Sequence, residues 1–196
     1  MTVAVVIGGA SSVWAELELT QELCRNLGVV PKYIVCNDMI EHFSKECLAA
    51  VTLHADKLPS WIANRTAKGM CPIHDVWVCT REYKQKVGGA IFANHYMDDL
   101  GGSVGLLCCR IAVSHYGLRV ILCGVPITEE GGHFVRGKPW TDVKTFEHRW
   151  RPHIHGLLSG KVRSWSGRTR EWFGAPDSDF VLGNQEEADY HGYNHN

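Results

Sequence analysis

Twelve residues near the start of the chain, Val3-Ala4-Val5-Val6-Ile7-Gly8-Gly9-Ala10-Ser11-Ser12-Val13-Trp14, constrain the fold more than any other stretch, because the pattern changes period in the middle. Five apolar residues without a polar break read as a strand buried on both faces. Two glycines and two serines end it. Val13 then begins a stripe continued by Leu17, Thr20, Cys24 and Leu27, at offsets of 4, 7, 11 and 14, the period of a helix. The unit is strand, Gly-rich turn, helix. Ser12 is placed to act as N-cap, the glycines let a ligand approach the backbone, and unpaired N–H groups at a helix start favour an anion. The turn matches neither G-x-G-x-x-G nor G-x-x-x-x-G-K-[ST], so a phosphate site and a purely structural turn both remain open.

The same alternation continues. Tyr33 to Cys36 reads as a second strand ending in Asn37-Asp38, followed by a predicted helix from Met39 to roughly Cys47. Ala49 to Leu53 reads as a third strand ending in His54-Ala55-Asp56, Lys57 to Lys68 as a short helix, and Asp75 to Cys79 as a fourth strand. Val104, Leu107, Cys108, Ile111, Ala112 and His115 form the best-defined helical stripe. It begins at Gly101-Gly102-Ser103 and stops at Gly117, and it leads into the strand Arg119 to Cys123, closed by Gly124-Val125-Pro126. Strands alternating with helices predict βαβ units, hence an α/β, three-layer sandwich with a mainly parallel Rossmann-like sheet. In such sheets ligands bind outside the carboxyl ends of the strands, which singles out Gly8, Gly9, Ser11, Ser12, Asn37, Asp38 and Gly124, and the glycine-preceded helix start at Gly101, Gly102 and Ser103 offers a second set of free N–H donors. Asn37 or Asp38 can equally cap the following helix.

Residues 127–140 lose periodicity and gain glycines around His133, and a loop of that length in a compact domain is usually functional or mobile. An imidazole there can give or take a proton at a ligand. Thr141 to Gly160 reads as a helix kinked or split by Pro152, and Val162 to Trp165 as a last short strand. Ser166 opens a capped helix with Arg168 and Arg170 in its first turn, where the helix dipole disfavours cations unless an anion or carboxylate lies nearby, so these three are candidate anion-binding residues.

At 196 residues, 45% hydrophobic and 21% charged, the chain suits one domain over residues 1–183 with a polar, flexible tail over 184–196. A net charge of -1 gives no reason to expect general nucleic-acid or membrane binding, although local basic patches are compatible with it. Eight cysteines without a C-x-x-C pair, and no secretory leader, read as buried thiols in a cytoplasmic protein. His148, His153 and His155 lack zinc spacing, and Gly9 to Val13 lacks a nucleophile elbow. Asp98 and Asp99 can hold Mg²⁺ or simply cap the next helix.

Val6-Ile7-Gly8-Gly9-Ala10-Ser11-Ser12, Val35-Cys36-Asn37-Asp38-Met39 and Gly102 to Leu107 leading to Val120 to Val125 together resemble the sialyltransferase-like Rossmann group. That group includes bacterial sialyltransferases using CMP-sialic acid, Maf-type flagellin glycosyltransferases and MptE-like pterin diphosphokinases. The chain also resembles small phage-encoded proteins over His133-Phe134 and Val162 to Gly167. The resemblance implies a nucleotide or nucleotide-sugar substrate with Gly8, Gly9 and Ser11 at the phosphate, Asn37, Gly102 and Ser103 at the nucleotide, and His133 as catalytic base. Asp99 is the accompanying catalytic candidate. The activities expected are glycosyl transfer or Mg-dependent pyrophosphoryl transfer. Nucleotide sequestration without turnover, or a pure interaction module, are the readings from other classes. The motifs name neither base, sugar, acceptor nor oligomeric state.

Overall fold

The computed structural model describes residues 2–79, 93–97, 103–128, 131–138 and 143–184. Its first strand, β1 (Val3–Ile7), is buried along its whole length, and α1 (Val13–Asn26) follows the glycine turn. Then come β2 (Lys32–Cys36), a 3₁₀ turn over Asn37–Glu41, β3 (Cys47–Thr52), α2 (Leu58–Ala67), β4 (Ile73–Cys79) and β5 (His95–Met97). The second half holds α3 (Val104–Arg110), continued as a π-helical turn Ile111–His115, then β6 (Arg119–Cys123), α4 (Val143–Ile154), β7 (Val162–Ser164), α5 (Gly167–Phe173) and α6 (Ser178–Leu182).

The seven strands form one sheet in the order β5-β4-β3-β2-β1-β6-β7, and every neighbouring pair is parallel. Side chains alternate across it with the period of two that a strand dictates. Val3, Val5 and Ile7 join the core beneath α1, α2 and α6, whereas Ala4 and Val6 join the core beneath α3, with Trp150 of α4 and Phe173 of α5. Helices therefore cover both faces, the three layers expected of an α/β doubly wound fold. Seven of the eight cysteines are buried free thiols, and Cys36 of β2 meets Cys108 of α3 at 3.3 Å between sulfurs.

One expected element is absent. Instead of a helix from Met39 to Cys47 the chain makes only the 3₁₀ turn, and β3 starts at Cys47. Buried Arg65 of α2 explains the difference: its guanidinium donates to the carbonyls of Ile40, Phe43, Lys45 and Cys71, and the first three are acceptors that a continuing helix would need for itself. The stripe from Val104 to His115 is likewise not one α-helix, since its last turn widens to i→i+5 bonds, as the Tyr116 amide donating to Ile111 shows. Pro152 lies inside α4, which ends two residues later.

Candidate functional site

β1 stands between β2 and β6. The chain leaving β1 enters α1 in one layer, while the chain leaving β6 proceeds to α4 in the other. The two connections diverge, and this is the switch point where open α/β sheets form their crevice. Backbone strain marks its rim. Asn37, at the end of β2, has φ 49°, and buried Ile127, beyond β6, has φ 52°, a conformation costly for a β-branched residue. The Asn37 carboxamide oxygen is braced by the Thr52 hydroxyl at 3.0 Å.

The floor of the crevice is the Gly8–Ser12 turn. Its amides are largely engaged: Gly8 donates to Cys123 O at 2.8 Å, Ala10 to Gly124 O at 3.1 Å and Val13 to Ala10 O at 3.0 Å. Segment 131–138 lies across it as a short strap. Ser11 donates to Gly132 O at 3.0 Å, Phe134 donates to Gly9 O at 2.9 Å, and Ala10 and His133 form an antiparallel bridge. A Cβ on Gly9 would come within 2.7 Å of His133 Nε2, and one on Gly8 would collide with the Gly124 carbonyl. Packing alone thus demands glycine at both positions. Ser12 begins α1, but its side chain makes no cap hydrogen bond.

His133 is the centre of this arrangement, with its side chain 7% exposed. Its Nδ1 accepts the Val135 amide hydrogen at 3.0 Å, and its Nε2 lies 3.5 Å from Asp38 Oδ2. With Nδ1 accepting, the neutral ring carries its proton on Nε2. Burial pushes the His133 pKa below the usual imidazole value. Asp38 opposes the shift, while Lys138 and His42 add to it. Lys138, from the far end of the strap, donates to the same Asp38 oxygen. The strap is held further by aromatic edges: Phe134 sits 4.6 Å from His133, 5.0 Å from His42 and 5.8 Å from half-exposed Trp14, between ring centroids.

The structure therefore gathers Gly8, Gly9, Ser11, Asp38, Gly124 and His133 at one place, with Asn37 beside them at the end of β2. Ser103 starts α3, buried, and its hydroxyl accepts the Trp150 indole hydrogen at 2.8 Å. Ser166 reaches the other side of the crevice, where its hydroxyl donates to Glu16 Oε1 at 2.5 Å while Glu16 Oε2 accepts the Gly124 amide. Arg168 is exposed and paired with Glu171 at 2.8 Å, and Arg170 is exposed on the same helix. Asp98, Asp99, Gly101 and Gly102 lie outside the described residues, as does the tail from 185 on. Among the described residues no three His, Cys, Asp or Glu side chains are arranged to hold a metal ion.

Sequence reasoning missed Lys138 and Glu16. Nothing in the sequence distinguished Lys138 from an ordinary loop lysine. Glu16 did leave a sign, since it falls three residues after Val13, on the apolar stripe of α1.

Fold and site together define a doubly wound α/β protein whose switch-point crevice is lined by an acid, an imidazole and a lysine. No protein-family model matches the chain, and no curated protein matches it. Among solved structures it is similar to the sialyltransferase CstII from Campylobacter jejuni in complex with a substrate analogue, CMP-3FNeuAc. The identity is 10%, the match covers 91% of this chain and 87% of that one, and the TM-score is 0.49. No helix among the described residues is long and apolar enough to cross a membrane.

Proposed function

We propose that this protein binds a nucleotide or nucleotide-sugar at the carboxyl edge of β1, β2 and β6 and transfers a group from it, with glycosyl transfer the chemistry and His133 the proton-transfer residue. The observation that carries this reading is the meeting of Asp38 and His133 over Gly9 at the switch point, 3.5 Å apart. An acid at the end of the second strand is placed to accept hydrogen bonds from ribose hydroxyls. The motif resemblance of Gly8 to Ser12, Asn37 and His133 to sialyltransferase-like proteins supports the same ligand class.

For His133 to act as a base, its Nδ1 lone pair must leave the Val135 amide, so transfer requires the 131–138 strap to shift. Titration calorimetry with nucleoside monophosphates, followed by turnover assays with nucleotide-sugars, tests the reading. His133→Ala should keep nucleotide binding and lose turnover. A wild-type protein that gives no binding heat with any of the four common bases would sink the proposal, and equal turnover in the variant would remove His133 from the mechanism.

A second reading, nucleotide sequestration without turnover, is favoured by the engagement of both ring nitrogens of His133 inside the protein. It predicts that bound nucleotide-sugar is recovered unchanged after long incubation.

A further inference from the structure

The near-neutral net charge conceals a strong asymmetry. Between Val143 and Phe173 the sequence holds seven Lys and Arg against Glu147 and Glu171, a net of +5, so with -1 for the whole chain the remainder carries -6. Four of these cations, Arg149, Arg151, Arg168 and Arg170, are exposed on α4 and α5. On α4, Trp150 is fully buried while His148, Arg149 and Arg151 are exposed. The neighbouring α5 exposes Arg168 and Arg170 and buries Thr169 and Phe173. The two helices pack together through Trp150 of α4 and Trp172 and Phe173 of α5, with ring centroids 6.3 and 6.1 Å apart, and the Glu147 carboxyl is held below its usual range chiefly by Arg151 and also by Arg168 across the helix pair. Arg110 of α3 extends the positive field, lying close enough to His153 to disfavour its protonation alongside burial.

We infer that the α4–α5 face is a docking surface for the phosphodiester backbone of a nucleic acid. Three features select this partner. Four of the exposed cations, Arg149, Arg151, Arg168 and Arg170, are arginines, whose planar forks match phosphate oxygens two at a time. The described part of α4 exposes no large apolar side chain, which a helix lying in a membrane interface needs in order to bury itself. Among the described residues the carboxylates on the face, Glu147 and Glu171, are already paired with Arg151 and Arg168 at 2.9 and 2.8 Å, leaving Arg149 and Arg170 for an external anion. The surface uses neither Asp38 nor His133, and the inference does not depend on the nucleotide reading.

Fluorescence anisotropy with short labelled RNA and DNA duplexes of one sequence, titrated between about 50 and 200 mM salt, provides the test. Wild-type protein should bind either duplex, because backbone contacts carry no base identity, and affinity should fall steeply with salt. Replacing Arg149, Arg151, Arg168 and Arg170 together by Gln should weaken binding at least tenfold and lower the log–log salt slope by about one for each phosphate that is no longer neutralised. Arg25→Gln, on α1 in the opposite layer, should change nothing. The proposal is overturned by absence of salt-dependent binding at the low-salt end, by a quadruple variant that binds like wild type, or by an equal loss in Arg25→Gln. Preferential binding to phosphatidylserine vesicles over both duplexes overturns it too.

Discussion

Glu16 Oε2 accepts the Gly124 amide hydrogen at 2.8 Å, which ties the first turn of α1 to the end of β6 across the switch point. Its other oxygen receives the Ser166 hydroxyl, so one buried carboxylate closes three segments far apart in sequence. Glu16→Ala should leave the Gly124 amide without its acceptor and cost about 2–3 kcal/mol. Glu16→Gln keeps an acceptor oxygen and should cost less. Urea unfolding midpoints of the two variants check the ranking, and equal midpoints would refute it.

Arg65 stands in for missing helical hydrogen bonds, donating to four carbonyls with no carboxylate partner among the described residues. Arg65→Met should destabilise by about 3–5 kcal/mol, because buried carbonyls lose charged donors. Arg65→Lys retains charge but not the fork, so an intermediate loss is expected. Denaturant melts measure both, and a Lys variant as stable as wild type would show that the fork geometry is dispensable.

Gly9→Ala places a methyl group 2.7 Å from His133 Nε2. The strap must lift or the turn must shift, at a cost of about 1–3 kcal/mol. Amide hydrogen exchange should show faster exchange at Phe134, whose amide donates to Gly9 O, than in wild type. Unchanged protection there would mean the strap is not seated by this close approach.

Burial lowers the His133 pKa, and burial with Arg110 lowers that of His153. A histidine whose folded pKa is depressed binds its proton more readily when unfolded, so stability is highest above the unfolded value near 6.5 and falls as the pH drops below it. Urea midpoints should therefore decrease between neutral and mildly acidic pH. His133→Gln should flatten that dependence, and a variant with an undiminished slope would exclude His133 as a contributor.

Much of the architecture was legible because each central strand is a short apolar run ended by glycine or a polar pair. Ile7-Gly8, Cys36-Asn37 and Cys123-Gly124 are located this way, and the rule that ligands gather at carboxyl ends then selects Asp38 and Gly124. The sequence misled where one tertiary interaction overrode local preference: the helix expected from Met39 dissolves because Arg65, twenty or more residues away, takes its carbonyls. The π turn at Ile111–His115 left no mark in the periodicity. Gly8 and Gly9 do permit a close approach, but the approaching groups are the Gly124 carbonyl and the His133 ring.

The sheet order has a consequence for how the chain is made. β1 leaves the ribosome more than a hundred residues before β6, so its β6 edge stays unpaired until Arg119–Cys123 has been synthesised. Through that interval an apolar strand offers an open hydrogen-bonding edge, a known route to wrong pairing. A chain ending at Gly117 should be markedly less soluble than one that includes β6, and the Gly8–Ser12 turn, whose Gly8 and Ala10 amides donate to Cys123 and Gly124, can take shape only after β6 exists.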